Sequence, residues 1–228
     1  MESLREYHYN KLGEAGKRAY KKILEAIVNY EEVVSVELVK NIWNVTSAIK
    51  NDNPELYYVH WGELTAYTYG SENRYELHIP YIEDKAEVVR VISRVKAVAR
   101  GLQGDSNMRT MRNVHDYIGH TVTYDPNVSA DYTYYVREDH NIIGPLIHHM
   151  GVCEGIARLT QLFLKILHVD CTYESGYAYG RIDDKWCHAW NMVYKDGQLL
   201  KMDVTWDLTN KKDTYYKYFC VDKDFWGE

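Results

Sequence analysis

The chain has 228 residues, enough for one large domain or a catalytic domain with a smaller companion. Hydrophobic residues make up 46% and charged residues 26%, an ordinary balance for a globular protein, and the formal net charge of -6 gives no electrostatic reason to expect nucleic acid as a partner. No apolar run approaches the ~20 residues that cross a bilayer, and the opening Met1-Glu2-Ser3-Leu4-Arg5 lacks the apolar stretch of an export signal. The expectation is a cytoplasmic protein without a membrane partner; a secreted or cell-surface protein trimmed of its signal would read the same way.

Residues 14–29 read as an amphipathic helix, with Ala15, Ala19, Tyr20, Ile23, Leu24 and Ile27 at three- and four-residue spacing. A second helix is predicted over 35–50, with Ser35 as its cap and Asn51-Asp52-Asn53-Pro54 as its stop. Three β-like runs follow at 57–61, 63–69 and 74–79, with a turn at Gly70-Ser71-Glu72-Asn73. Helical periodicity returns over 84–102, and Ser106 caps a further helix that closes into Val122-Thr123-Tyr124. Residues 127–145 are polar, Tyr-rich and without clear periodicity, which predicts a long loop. The domain expectation is an α+β N-terminal section over 1–83 and a larger core over 84–228.

The pattern sharpens from Gly151. Gly151-Val152-Cys153-Glu154-Gly155 leads into a helix carrying Leu159, Leu162, Phe163 and Ile166. Strands are then predicted at 171–178, 186–194 and 199–204, with Lys195-Asp196-Gly197 as a hairpin turn.

A cysteine acyl-transfer centre needs a thiolate, and the free N–H groups and dipole of a helix start favour one. Cys153 stands at such a start, and its small neighbours let backbone approach a substrate carbonyl closely. His188 lies on the first strand of the hairpin and Asp203 on the second, roughly opposite if a bulge or an imperfect register absorbs the unequal arms. The bland reading of each is a buried thiol and a satisfied core histidine; for the carboxylate, Asp207 competes four residues on.

Gly-Val-Cys-Glu-Gly at 151–155, His-Ala-Trp-Asn at 188–191 and Asp-Val-Thr-Trp-Asp at 203–207 resemble the transglutaminase-like core family. His188 follows Cys153 by 35 positions and Asp203 follows His188 by 15, as in that family's pattern. Val114-His115-Asp116-Tyr117-Ile118 and the following Val122-Thr123-Tyr124-Asp125 resemble its helix leading into the core, so the likeness spans about 105–210. Asp52-Asn53-Pro54-Glu55-Leu56-Tyr57-Tyr58 is similar to N-terminal regions of bacterial members.

The resemblance implies an α+β, papain-like fold with the nucleophile at the N-terminus of a helix packed on an antiparallel sheet. It implies Cys153, His188 and Asp203 as a catalytic triad, with Asp207 left to cap or turn the chain. The oxyanion donors it suggests are the Cys153 backbone N–H and Tyr124, the latter weighed against a packed strand-end tyrosine. The implied reaction is acyl transfer on amides through a thioester, with a peptide or protein as substrate. Hydrolysis of a peptide or isopeptide bond is the expectation, because the chain is small and no segment for recruiting an amine-bearing protein is identifiable. Transglutaminase or deamidase activity, and a non-catalytic binding module, are the rivals.

No cofactor and no metal are expected: no acidic loop of EF-hand form is present, and His148-His149 have no partners at ligand spacing. His140 is placed in the polar loop, at the border of the cleft. Cys171, Cys187 and Cys220 read as core, and Trp190 and Trp206 as wedges holding the hairpin against the helix. Substrate-binding residues and oligomeric state are left open.

Overall fold

The computed structural model describes residues 3–125, 138–179, 185–209 and 216–222. Residues 6–92 form one compact unit; residues from 93 onward, with the N-terminal residues up to Arg5, form the other.

In the first unit, α1 (Tyr7–Asn10) and α2 (Glu14–Asn29) precede β1 (Val33–Glu37) and α3 (Ile42–Asp52). Strands β2 (Thr65–Tyr69) and β3 (Arg74–His78) complete an antiparallel sheet in the order β1-β3-β2. The inward face of α2 is Ala19, Tyr20, Ile23, Ala26 and Ile27, as its spacing predicts.

The helix predicted from Ser35 is a strand first and a helix second. Val34 and Val36 alternate into the core at period two, and the true cap is Asn41, whose Oδ1 accepts from the Trp43 N–H at 2.9 Å. The run 57–61 is not a strand either. It follows a 3-10 turn at Pro54–Leu56 and makes one bridge, Val59 to Tyr81, while Tyr57 and Tyr58 are both buried. Asp52 closes α3 from inside the core, accepting from the His8 N–H at 3.0 Å, the Tyr9 N–H at 2.9 Å and the Tyr20 hydroxyl at 3.3 Å. Burial nonetheless raises its carboxyl above the ordinary range, against those hydrogen bonds.

Helix α4 (Lys85–Arg100) has residues in both units. The second unit continues with α5 (Asn107–Thr121), capped by Ser106 through the Arg109 N–H at 3.2 Å. Two-residue strands β4 (Thr123–Tyr124) and β5 (Met150–Gly151) pair in parallel. Of the polar loop, residues 127–137 lie outside the described residues; its remainder holds a 3-10 turn (Glu138–His140) and a π-helical turn (Gly144–His148).

Helix α6 (Cys153–Ile166) is the centre of this unit. Every residue from Glu154 to Leu164 is buried, so its packing rather than its propensity sustains it. It packs against α5 and against an antiparallel sheet of β6 (Cys171–Tyr179), β7 (Lys185–Lys195) and β8 (Gln198–Met202). The β7–β8 turn is Asp196-Gly197 with φ of 52° and 81°, the two left-handed residues of a tight hairpin matched to strand twist. Helix α7 (Val204–Thr209) leaves the end of β8, and Val221 bridges Lys201 on that strand.

Candidate active site

Cys153 is the first residue of α6. Val152 before it is extended, and its aliphatic side chain cannot cap the helix start. Cys153 is partly exposed and packs on Ala157, Tyr173 and Ala189. The approach of chain to this helix start is close. A Cβ on Gly155 would stand 2.2 Å from the Asp139 carbonyl oxygen and 2.8 Å from that of Asn141, and the Val152 N–H donates to Asp139 O at 3.1 Å. Gly155 therefore admits the 139–141 backbone, where the sequence suggested room for a substrate carbonyl.

His188 sits on β7 opposite Gly176, 5% exposed. Asn191 ties that strand down, its amide donating to the carbonyls of Ala157 on α6 at 3.0 Å and Thr172 on β6 at 3.4 Å. The imidazole Nε2 is 2.6 Å from Asp203 Oδ2. Burial by itself would lower its pKa; the Asp203 hydrogen bond, then the hydrogen bond with the Cys153 sulfur, more than reverse this and raise it from 6.5 to about 9. Trp190 stacks near one side of the ring with centroids 6.2 Å apart, and Trp206 lies tilted at 5.3 Å, so both tryptophans border the imidazole as well as the hairpin.

Asp203 is 1% exposed and stands one step past the last ladder pair, Asn191 with Met202. It falls on the same face as His188, two residues out of register, and the pairing holds no bulge. Its two oxygens have separate partners. Oδ2 meets the imidazole, and Oδ1 accepts the Trp206 N–H at 3.0 Å and so caps α7. The cap expected at Asp207 is thus Asp203. Asp207 lies inside α7, fully buried, with Oδ2 2.9 Å from His115 Nε2.

Tyr124 pairs with Gly151 across β4 and β5, which brings it beside the segment entering Cys153. It is 36% exposed; burial, then the nearby Cys153 sulfur, push its hydroxyl up to about 12, so it stays a donor through neutral pH.

His140 is buried, with Nδ1 3.5 Å from Glu154 Oε2. Glu154 in turn accepts from Arg158 one helical turn on at 2.9 Å, and the Arg158 guanidinium lies 4.3 Å from the centre of the Tyr173 ring. The i,i+4 spacing of Glu154 and Arg158 is the one sequence signal of this buried network. His148 pairs with Glu138 at 2.6 Å in the open. Cys171 and Cys220 are buried as expected, whereas Cys187 is exposed. Alternation does turn Cys187 away from the His188 face, but Ala189 already meets the first turn of α6, and Cys187 lies beyond that cover.

No helix among the described residues is long and apolar enough to cross a membrane. Among the solved structures that match, three illustrate the likeness at low identity. A candidate cysteine protease from Cytophaga hutchinsonii matches at 14% identity and a TM-score of 0.39, over 63% of this chain and 61% of its own. A TGase matches at 12% identity and 0.42, over 76% and 50%. The periplasmic domain of TgpA from Pseudomonas aeruginosa, bound to ethylmercury, matches at 15% identity and 0.39, over 61% and 58%. The chain thus spans between 50% and 61% of the length of these structures. No curated protein matches the sequence. The family model of the transglutaminase-like superfamily matches residues 95–204, a stretch that contains Tyr124, Cys153, His188 and Asp203. Within the α+β fold described above, residues 95–204 are thus a transglutaminase-like domain.

Proposed function

We propose that this protein hydrolyses amide bonds of a peptide or isopeptide substrate, with Cys153 as nucleophile, His188 as acid and base, and Asp203 as the orienting carboxylate. One observation carries the reading: a buried imidazole held between a helix-start sulfur and a buried carboxylate, with its pKa raised to about 9. Such a ring is protonated at neutral pH and stands ready as the counter-ion of a thiolate.

Asp203 occupies Nε2, which leaves Nδ1 as the nitrogen for the sulfur. The Cys153 thiolate attacks the amide carbonyl carbon and the carbonyl π pair moves to oxygen. The backbone N–H of Cys153 and the Tyr124 hydroxyl receive that oxyanion. His188 gives its proton to the leaving nitrogen as the C–N bond breaks, and an amine and a thioester result. Neutral His188 then takes a proton from water, the hydroxide equivalent adds to the thioester, and the acid leaves as the thiolate returns. Asp203 fixes the ring's orientation and tautomer and balances its charge throughout. Partial exposure of Cys153 gives water a route to the thioester.

The test is turnover of peptide amides with and without a labelled primary amine. Hydrolysis should dominate, and Cys153→Ala should lower it by about a thousandfold or more. An active Cys153→Ala protein would refute the nucleophile; amine incorporation above hydrolysis would make the protein a transamidase.

A further inference from the structure

The proposed mechanism leaves one fully buried histidine unused. His115, on α5, is 0% exposed and sits between two carboxylates: Nε2 is 2.9 Å from Asp207 Oδ2 and Nδ1 is 3.3 Å from Asp116 Oδ1. The Tyr216 hydroxyl donates to the same Asp116 oxygen at 2.6 Å, and the Tyr216 and Phe219 rings lie 5.0 and 5.2 Å from the imidazole.

From Asp207 the connections run to the candidate triad. Its Oδ1 accepts the Tyr218 N–H at 3.1 Å, the Tyr218 carbonyl accepts the Asp203 N–H at 2.9 Å, and the Asp203 carbonyl accepts the Asp207 N–H at 3.4 Å. Asp203 and Asp207 are thus joined by a closed set of hydrogen bonds through Tyr218, and that set is anchored on α5 by His115. Helix α7 has six residues, too few to hold its own geometry. Its place, and with it the Oδ2 atom that meets His188, is set by these outside contacts.

We infer that His115 and Asp207 are positioning residues for the reaction, a second His–carboxylate pair that fixes where Asp203 stands against His188. The inference rests on the triad reading above. Its rival is a strut that only stabilises the junction of α5 with α7.

Two readouts separate them, both taken below the melting transition. The first is the rate of iodoacetamide alkylation at Cys153 in mildly acidic buffer, resolved by peptide mass spectrometry with exposed Cys187 as internal reference. The second is kcat and KM on a peptide amide. Misplacement of a catalytic group by a fraction of an ångström should appear in kcat and in the Cys153/Cys187 ratio. His115→Gln is expected to lower both by about tenfold or more with KM little changed, and Asp207→Asn by less. Folded variants with the wild-type ratio and kcat would overturn the inference and leave the strut. Should neither variant fold, Tyr216→Phe decides, because that residue is 38% exposed. A fall of about threefold is expected, the worth of one net hydrogen bond, and no fall overturns the inference. Wild-type Cys153 reacting no faster than Cys187 would instead defeat the triad reading, and the positioning role with it.

Discussion

Replacing Asp203 with Asn tests the buried pair through stability alone, without a substrate. The amide keeps the shape and an oxygen for the Trp206 N–H, so the cap on α7 survives, but it removes the charge that faces His188. A histidine that titrates at about 9 when folded and 6.5 when unfolded adds stability that is complete below 6.5 and lost as pH rises through 9. At about 1.4 kcal/mol per decade of proton affinity, the whole rise is worth about 3 kcal/mol. Because the Cys153 sulfur supplies part of it, the variant should lose about 2–3 kcal/mol at pH 6, or roughly 4–12 °C in Tm for a chain of this size. The gap between wild type and variant should then close as pH approaches 9.5. Calorimetry across that range measures it, and NMR of the histidine ring locates the titration directly. A gap that stays constant with pH, or a ring in the wild type that titrates near 6.5, would refute the reasoning.

Gly155→Ala should cost about 3 kcal/mol, seen as a fall in Tm, because its Cβ meets backbone carbonyls that cannot rotate away. An unchanged Tm would mean that the 139–141 segment yields freely. In the native protein, alkylation should reach Cys153 and Cys187 and spare Cys171 and Cys220, which react only on unfolding. Burial raises both protected thiols, Cys220 to about 11. Tyr124→Phe should lower kcat by about a hundredfold with KM little changed if its hydroxyl receives the oxyanion. An unchanged kcat would leave that work to the backbone N–H of Cys153.

Legibility followed the range of the signal. The Asp196-Gly197 turn and the start of α6 at Cys153 were readable because local backbone chemistry settles them. The join between β1 and α3 was not. Val36, Val39 and Ile42 fit a helical spacing, yet Val34 and Val36 are the pair that enters the core, and a short β-branched run suits both periods. At 57–61, two adjacent buried tyrosines gave the look of a strand without an edge to pair with. The candidate site divides in the same way. Cys153, His188 and Asp203 sit in compact motifs, and the structure brings them together. The His115–Asp207 contact joins residues 92 apart, and the Gly155 contact depends on a turn that only the folded chain delivers. His115 and Asp207 each lie in a motif quoted for the family resemblance, but nothing in the spacing of the two motifs pairs them, and the Gly155 contact leaves no periodic trace.

Val152 puts an aliphatic side chain where a helix of ordinary purpose would carry serine, threonine or aspartate. An engineer seeking a more heat-resistant protein would change that position first, and the helix would gain. The new oxygen would accept from the Glu154 or Gly155 amide, next to the Cys153 N–H that the proposed mechanism assigns to the oxyanion. On the proposed mechanism, robustness and turnover would then meet within one helical turn, and an aliphatic residue at 152 keeps a competing oxygen away.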